Sequence, residues 1–340
     1  MNRNKNNKII INIILFIIGL AICFVFENMG LIKSSIILVI EYIGIYTIFV
    51  LGVNLINGYL GVFSLAHAGV MAIGAYSSAL ASMYLFDSAL TFPISILIGG
   101  TMGMLAGMLL AVASFKVSGD YLAIITLGFS LIIKSILQNM EFVGGSRGLR
   151  PIPQYTTLIY IYICVIIAII VVKKYIKSKF GRSILAIRDD PVAAELVSVN
   201  IRRSKIVAFG LSSFLIGVSG SLVAHLIAYT NPASYGYTSI VDGLVMVYLG
   251  GVGSITGSII GATVWQILVQ SLRGIGIWRW VIGGGILVIV MIFLPNGIYG
   301  NRELTWKDIK NLPGAIKEKI TSIRAGKAAG TNKKQKGGKQ

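Results

Sequence analysis

Apolar runs separated by short polar breaks cover most of this chain. They fall at Ile9–Phe26 and at about 35–56, 61–85, 93–115, 120–139, 155–172, 206–229 and 278–294. Each is near the ~20 residues a helix needs to cross a bilayer. The stretch 237–270 is too long for one span and is interrupted by Gly250, Gly251, Gly253 and Gly257, so it reads as a broken or re-entrant pair. The runs are continuous, where a β-barrel would alternate. The expected fold is all-α: a polytopic transmembrane helix bundle of about nine to ten spans, broken helices included. Residues 1–8 are basic and polar, and no small-residue cleavage site follows Phe26. Ile9–Phe26 is therefore expected to be a first span with the N-terminus inside.

The main polar exception is Gly181–Lys205, GRSILAIRDDPVAAELVSVNIRRSK. Asp190 is a good N-cap and Pro191 suits the first helical position. Val192, Leu196 and Val199 then recur on one side of a short amphipathic helix. Two readings stand: a docking helix for a soluble partner, or an interfacial helix lying on lipid. Six crossings before it return the chain to the cytoplasm at Lys173, Lys174, Lys177 and Lys179, as the positive-inside rule requires, while Arg147 and Arg150 fall outside. The expected organisation is a cytoplasmic N-terminus at 1–8, a first transmembrane half at 9–172, a cytoplasmic coupling loop at 173–205, a second half at 206–300 and a basic cytoplasmic tail at 301–340.

Composition agrees with a membrane bundle: 55% of the 340 residues are hydrophobic and 12% charged. The net charge of +18 sits in loops and tails, so it points to anionic lipid and not to nucleic acid. From Asn301 onward eleven Lys/Arg face three Asp/Glu, and this end reads as a disordered, lipid-attracted or merely solubilising tail. Cys23 and Cys164 lie in separate apolar runs and read as small core or lipid-facing residues, not as a disulfide or metal pair. No metal site is expected from His67 and His225, which have no ligand pattern around them.

Chemistry is sparse. Each half has one glycine-rich, broken stretch, at 57–76 and at 248–262. Paired interruptions point to a translocation path; close helix packing, as Gly257 and Gly261 allow, is the competing reading. Ionisable groups inside spans are Glu41, His67, Lys134, His225 and Asp242, with Asp120 near an end. His67 either lines a pore or donates to a neighbouring helix carbonyl. Ser64 either presents its hydroxyl to a solute or caps the next half-helix. There is no phosphate-binding Gly-x-x-x-x-Gly-Lys-Ser/Thr loop and no Ser/His/Asp arrangement, so no enzyme and no bound cofactor are expected.

Several segments resemble one known family. GRSILAIRDDPVAAELVSVNIRRSKIVAF is similar to the cytoplasmic loop of the inner-membrane permeases of branched-chain amino acid ABC transporters. GVFSLAHAGVMAIGAY, SGDYLAIITLGFSLIIKSILQN with VGGSRGL, MVYLGGVGSITGSIIGA and FLPNGIYG follow that family's pattern in order, over about residues 35–300. The runs at Gly119–Ile124 and Arg188–Asp190 resemble its M-type subunit. The resemblance implies a pore subunit in a bacterial cytoplasmic membrane, both termini inside. Its partners would be a sister permease, two ABC ATPases and an extracytoplasmic binding protein delivering leucine, isoleucine or valine. Arg188, Asp189, Asp190, Ala193, Ala194, Glu195 and Leu196 would couple to the ATPases. Ser64, His67, Gly69, Asp120, Gly250 and Gly251 would line the path. Relatives of this architecture move urea, short amides, sugars or nucleosides. Two rival functions stand beside import: an ion-coupled transporter, relying on Glu41 and Asp242, and a scaffold. Two departures from the family pattern stand out: Ser198 replaces a usual glycine after the coupling helix, and Leu131 an acid common after TLGF.

Overall fold

The computed structural model describes residues 33–276 except 86, 87, 89, 116 and 118, with isolated positions at 19–21, 23 and between 278 and 297. Apart from those positions, the expected first span, last span and both termini lie outside the described residues. Among the described residues the fold is helical, with one isolated bridge between Leu149 and Thr230.

Helix α1 (Ser34–Asn54) runs at its end into a π-turn, Leu55–Tyr59. Then follow α2 (His67–Tyr84), α3 (Phe92–Ala113), α4 (Asp120–Asn139) and α5 (Leu158–Lys177). Two short helices, α6 (Lys179–Asp189) and α7 (Pro191–Leu196), lead into the long α8 (Ile201–Ile227). The pair α9 (Tyr237–Gly250) and α10 (Ile255–Ser271) fills the stretch that is too long for one span, and its break falls at 251–254. Among the described residues five helical segments are long and apolar enough to cross a membrane: Ser34–Tyr59, α3, α4, α5 and α8. The protein is a multi-pass membrane protein.

Helix α8 is the centre of the bundle, and 72% of its apolar window is buried. It can be central because small residues let its neighbours approach. Gly99, Gly103 and Gly107 on α3 sit one turn apart and face α8 at Ser213, Gly217 and Ser221; Gly74 of α2 meets Gly217 as well. In lipid, where apolar side chains gain nothing by leaving the solvent, such backbone contact is what holds helices together. Several large apolar side chains on α3 and α4, among them Leu97, Leu105, Leu109, Ile124 and Ile132, point outward instead.

The helix ends sort onto two faces. On one, Lys205 Nζ donates to Ser114 O at 2.9 Å, and α6 and α7 lie beside them. On the other, Leu149 pairs with Thr230, Ile152 N donates to Ala228 O, and Tyr84 stacks on Phe142. His225 belongs to this second end: it is fully buried, with Nδ1 2.8 Å from Ser221 O and Nε2 2.8 Å from Ser82 Oγ.

Candidate translocation path and coupling arm

The arm is built by local chemistry. Ser178 caps α6 by accepting from Gly181 N, and Ile184 and Ile187 bury its apolar side. Asp190 ends α6 and caps α7, its Oδ1 accepting from Val192 N at 2.8 Å and Ala193 N at 3.1 Å. Pro191 occupies the first helical position. Helix α7 closes with a left-handed turn: Val199 N donates to Ala194 O, Ser198 N donates to Glu195 O, and Ser198 has φ +62°. This is the pairing in which glycine is usual, so the serine keeps the turn at a steric cost. Ala194 is buried, while Val192 and Leu196 are 68% and 82% exposed and Val197 stands beside them. The helix therefore holds itself to the bundle by one small side chain and turns its larger apolar side chains outward. Ala193 and Glu195 are exposed as well.

Arg188 joins this arm to the bundle. Its guanidinium lies 3.3 Å from the exposed carboxylate of Asp189, and Nη1 reaches toward Gly58 O at 3.5 Å. A side chain on Gly61 would strike the Arg188 stem. Gly58 and Gly61 belong to the first glycine break, and that break meets the second one directly. Asn54, fully buried, accepts from Gly253 N at 2.8 Å and donates to Ser254 O at 3.0 Å and Ser258 Oγ at 2.8 Å. A Cβ on Gly58 would collide with the Asn54 carboxamide and the Gly253 backbone. Asn54 thus clasps the turn between α9 and α10 onto the end of α1, with Arg188 beside it.

The unwound chain between the π-turn and α2 is also held by hydrogen bonds, as backbone away from water must be. Asn57 brackets Ser64, its Oδ1 accepting from Ser64 N and its Nδ2 donating to Ser64 O. Leu65 N donates to Thr126 Oγ1, and Ser130 Oγ donates to Leu65 O, both from α4. Ser64 and His67 are buried here against Val53, Phe209 and Ile216, around a crevice of only about 10 Å³. His67 Nε2 is 3.0 Å from Ile240 O; since a carbonyl only accepts, that nitrogen carries the proton. Phe49 packs edge-on to the ring and Gly243 against it. Gly69 lies against Ser130, whose hydroxyl accepts from Gly69 N. Gly250 touches Gly257 and Gly261 across the α9–α10 pair, and Gly251, at φ +125°, opens the turn. Asp120 is exposed in the first turn of α4, where its charge suits the helix N-terminus, away from these groups.

A family model described as the branched-chain amino acid transport system / permease component matches residues 35–295. The chain belongs to this family. It is similar to the high-affinity branched-chain amino acid transport system permease protein LivM of Escherichia coli (strain K12), 29% identical over 308 residues, 80% of this chain and 71% of that one. The corresponding protein of Salmonella typhimurium is 28% identical over 289 residues, 75% and 67% of the two chains. A galactose/methyl galactoside import permease protein, MglC of Salmonella typhimurium, is 26% identical over 237 residues, 61% and 68%. No solved structure matches the chain.

Three features of the permease escape a reading of its sequence. Asn54 is a lone amide in an apolar run, and that isolation is the signal it leaves. The contact of Arg188 with the glycine breaks joins residues 130 apart. The third is a cavity of about 370 Å³ on the half of α9 and α10 away from the clasp, which includes Asp242 but none of the path residues expected from the sequence.

Proposed function

We propose that the permease is the pore subunit of an ATP-driven importer of branched-chain amino acids. It would sit beside a sister permease, take leucine, isoleucine or valine from an extracytoplasmic binding protein, and be driven by two ATPases docked on the 173–205 loop. In this reading the loop and both termini are cytoplasmic, the crossings number nine to ten with α9–α10 as the broken pair, and the basic loops and tail touch anionic lipid. The supporting observation is the outward apolar side of α7, tied through Arg188 to the place where the two glycine breaks meet. A soluble ATPase that grips Val192 and Leu196 would move Arg188 with them, and with it the Asn54 clasp. Asp189, Asp190 and Glu195 would frame that contact, and Ala193 would let the partner approach closely. Hydrolysis on a separate chain would thereby alternate access to a path in this one.

Leu196→Asp tests the docking. The side chain is 82% exposed, so its replacement should shift stability by no more than about 0.5 kcal/mol. The expected result is a permease that reaches the membrane in normal amount, no longer co-purifies with its ATPases and no longer supports leucine uptake. Normal co-purification together with normal uptake refutes the docking role. Uptake of a sugar or a nucleoside, and not of leucine, by the assembled complex would move the solute assignment to that class.

A further inference from the structure

The end of the bundle away from α6 and α7 is closed by the segments 140–157 and 228–236, which carry Arg147 and Arg150 against one acid, Glu141. Both arginines are exposed, and among the described residues no carboxylate pairs with either. On the importer reading this end is exterior, where the positive-inside rule disfavours arginine. The local structure holds them in place. Leu149 N donates to Thr230 O at 2.9 Å, and a Cβ on Gly148 would strike Thr230 O and the Tyr229 ring. The Arg150 guanidinium lies 3.8 Å over the Tyr229 ring. The Tyr229 hydroxyl donates to Arg147 O at 3.0 Å and accepts from Asn231 Nδ2 at 2.8 Å. Stacking occupies the face of a guanidinium and leaves the N–H groups at its edge for a carboxylate. An arginine already held in this way loses less freedom when it binds. Tyr229, Thr230 and Asn231 also line the 370 Å³ cavity, so whatever rests on the arginines stands at that cavity. Phe142, in the same loop, stacks on Tyr84, and the two rings are 66% and 64% exposed. Exposed aromatics beside arginines are typical of protein contact surfaces.

We propose that Arg147 and Arg150 form a docking platform for an acidic patch on the soluble extracytoplasmic protein that delivers the solute. This rests on the importer reading and names the surface at which delivery takes place. Carboxylates of the partner accept from the two guanidinium edges, and its apolar side chains cover Phe142 and Tyr84. Charge of opposite sign speeds the encounter and fixes its register. The platform and α7 lie at opposite ends of the bundle, so the delivering protein and the ATPases do not compete for one surface. A lipid phosphate has similar chemistry. The shared use of Tyr229 and Asn231 by the platform and the cavity favours a protein, since lipid lies along the flanks where Leu97, Leu105 and Ile132 point outward.

The test is binding of the solute-binding proteins of the same cell, purified singly and beginning with the leucine-binding one, to the assembled complex in phosphatidylcholine nanodiscs. One of them should bind, and its affinity should fall roughly tenfold or more between about 50 and about 500 mM NaCl. Arg147→Glu and Arg150→Glu should each weaken it roughly tenfold to a hundredfold. Arg150→Lys, which keeps the charge and loses the planar fork, should weaken it roughly threefold. The salt titration needs no variant, so misfolding cannot obscure it. Binding without salt dependence overturns the proposal, and so does binding by none of these proteins. An effect of the variants that appears only when phosphatidylglycerol is added assigns the arginines to lipid and overturns it as well. Leucine uptake at the wild-type rate, with undiminished affinity for the binding protein, in the Arg147→Glu/Arg150→Glu double variant overturns the platform and leaves the importer standing. Arginine-dependent docking of a binding protein for another solute supports the platform and removes the leucine assignment instead.

Discussion

Replacing Asn54 by alanine should cost the permease about 2–4 kcal/mol. Three short hydrogen bonds disappear: the one received from Gly253 N at 2.8 Å, and those given to Ser254 O and Ser258 Oγ at 3.0 and 2.8 Å. They are not equivalent. Ser258 Oγ itself donates to Ser254 O at 2.9 Å, so that carbonyl keeps a partner. The Gly253 N–H is left without the carboxamide oxygen, and an orphaned buried donor costs about 1–3 kcal/mol. The two bonds given by the amide add only about 0.6 kcal/mol each, the average for side-chain bonds between membrane helices. Reversible unfolding of the purified chain in mixed micelles, titrated with SDS, measures the difference. A double-mutant cycle with Ser258→Ala should return a coupling of about 0.6 kcal/mol, since the pair shares one bond. A loss below about 0.5 kcal/mol for Asn54→Ala, the range of surface changes, would refute the clasp.

Ser198→Gly should stabilise the turn after α7 by about 1 kcal/mol, because glycine adopts its positive φ without strain. Slower amide exchange at Val199, whose N–H closes the turn on Ala194 O, would show it, and unchanged or faster exchange would count against it. Arg188→Ala should leave the ATPases bound but lower leucine uptake, since it releases the arm from Gly58 without touching Val192 or Leu196. Wild-type uptake in that variant would mean that force passes by another route.

What the sequence shows well is whatever depends on neighbours in the chain. Asp120 and Asn139 bound α4 where the apolar run does, and Asp190 and Pro191 start α7. The less exact boundaries have physical reasons. The run at 61–85 becomes helical only at His67, because Asn57, Thr126 and Ser130 pair the first residues in an unwound form. Helix α5 runs on to Lys177, past the last apolar residues, since lysine favours helix and can carry its charge to the membrane surface. Ser178, Ile184 and Ile187 are the local marks of α6, but its charges hide it among loop-like residues. Pairings across the chain leave no such trace. Asp242 stands out as an acid in a span, whereas its aromatic companions Tyr42 and Tyr46 come from a helix about 200 residues earlier. Gly99, Gly103 and Gly107 are evenly spaced in the sequence, but nothing there says that Ser213 and Gly217 receive them.

Helix α8 is longer than a bilayer is thick. Its 27 residues extend about 40 Å, against a hydrocarbon core of ~30 Å. The surplus lies at its start, where Arg202 and Arg203 are exposed and Arg203 stacks over Phe180 of α6. If the apolar part of α8 spans the hydrocarbon as proposed, these first turns would act as a stilt that carries α6 and α7 beyond it. In the proposed docking, a visitor that seizes Leu196 would seat an oily pocket among charges of both signs, Asp189, Asp190 and Glu195 on one hand and Arg202 and Arg203 on the other, and brine, more than mild detergent, would pry it off.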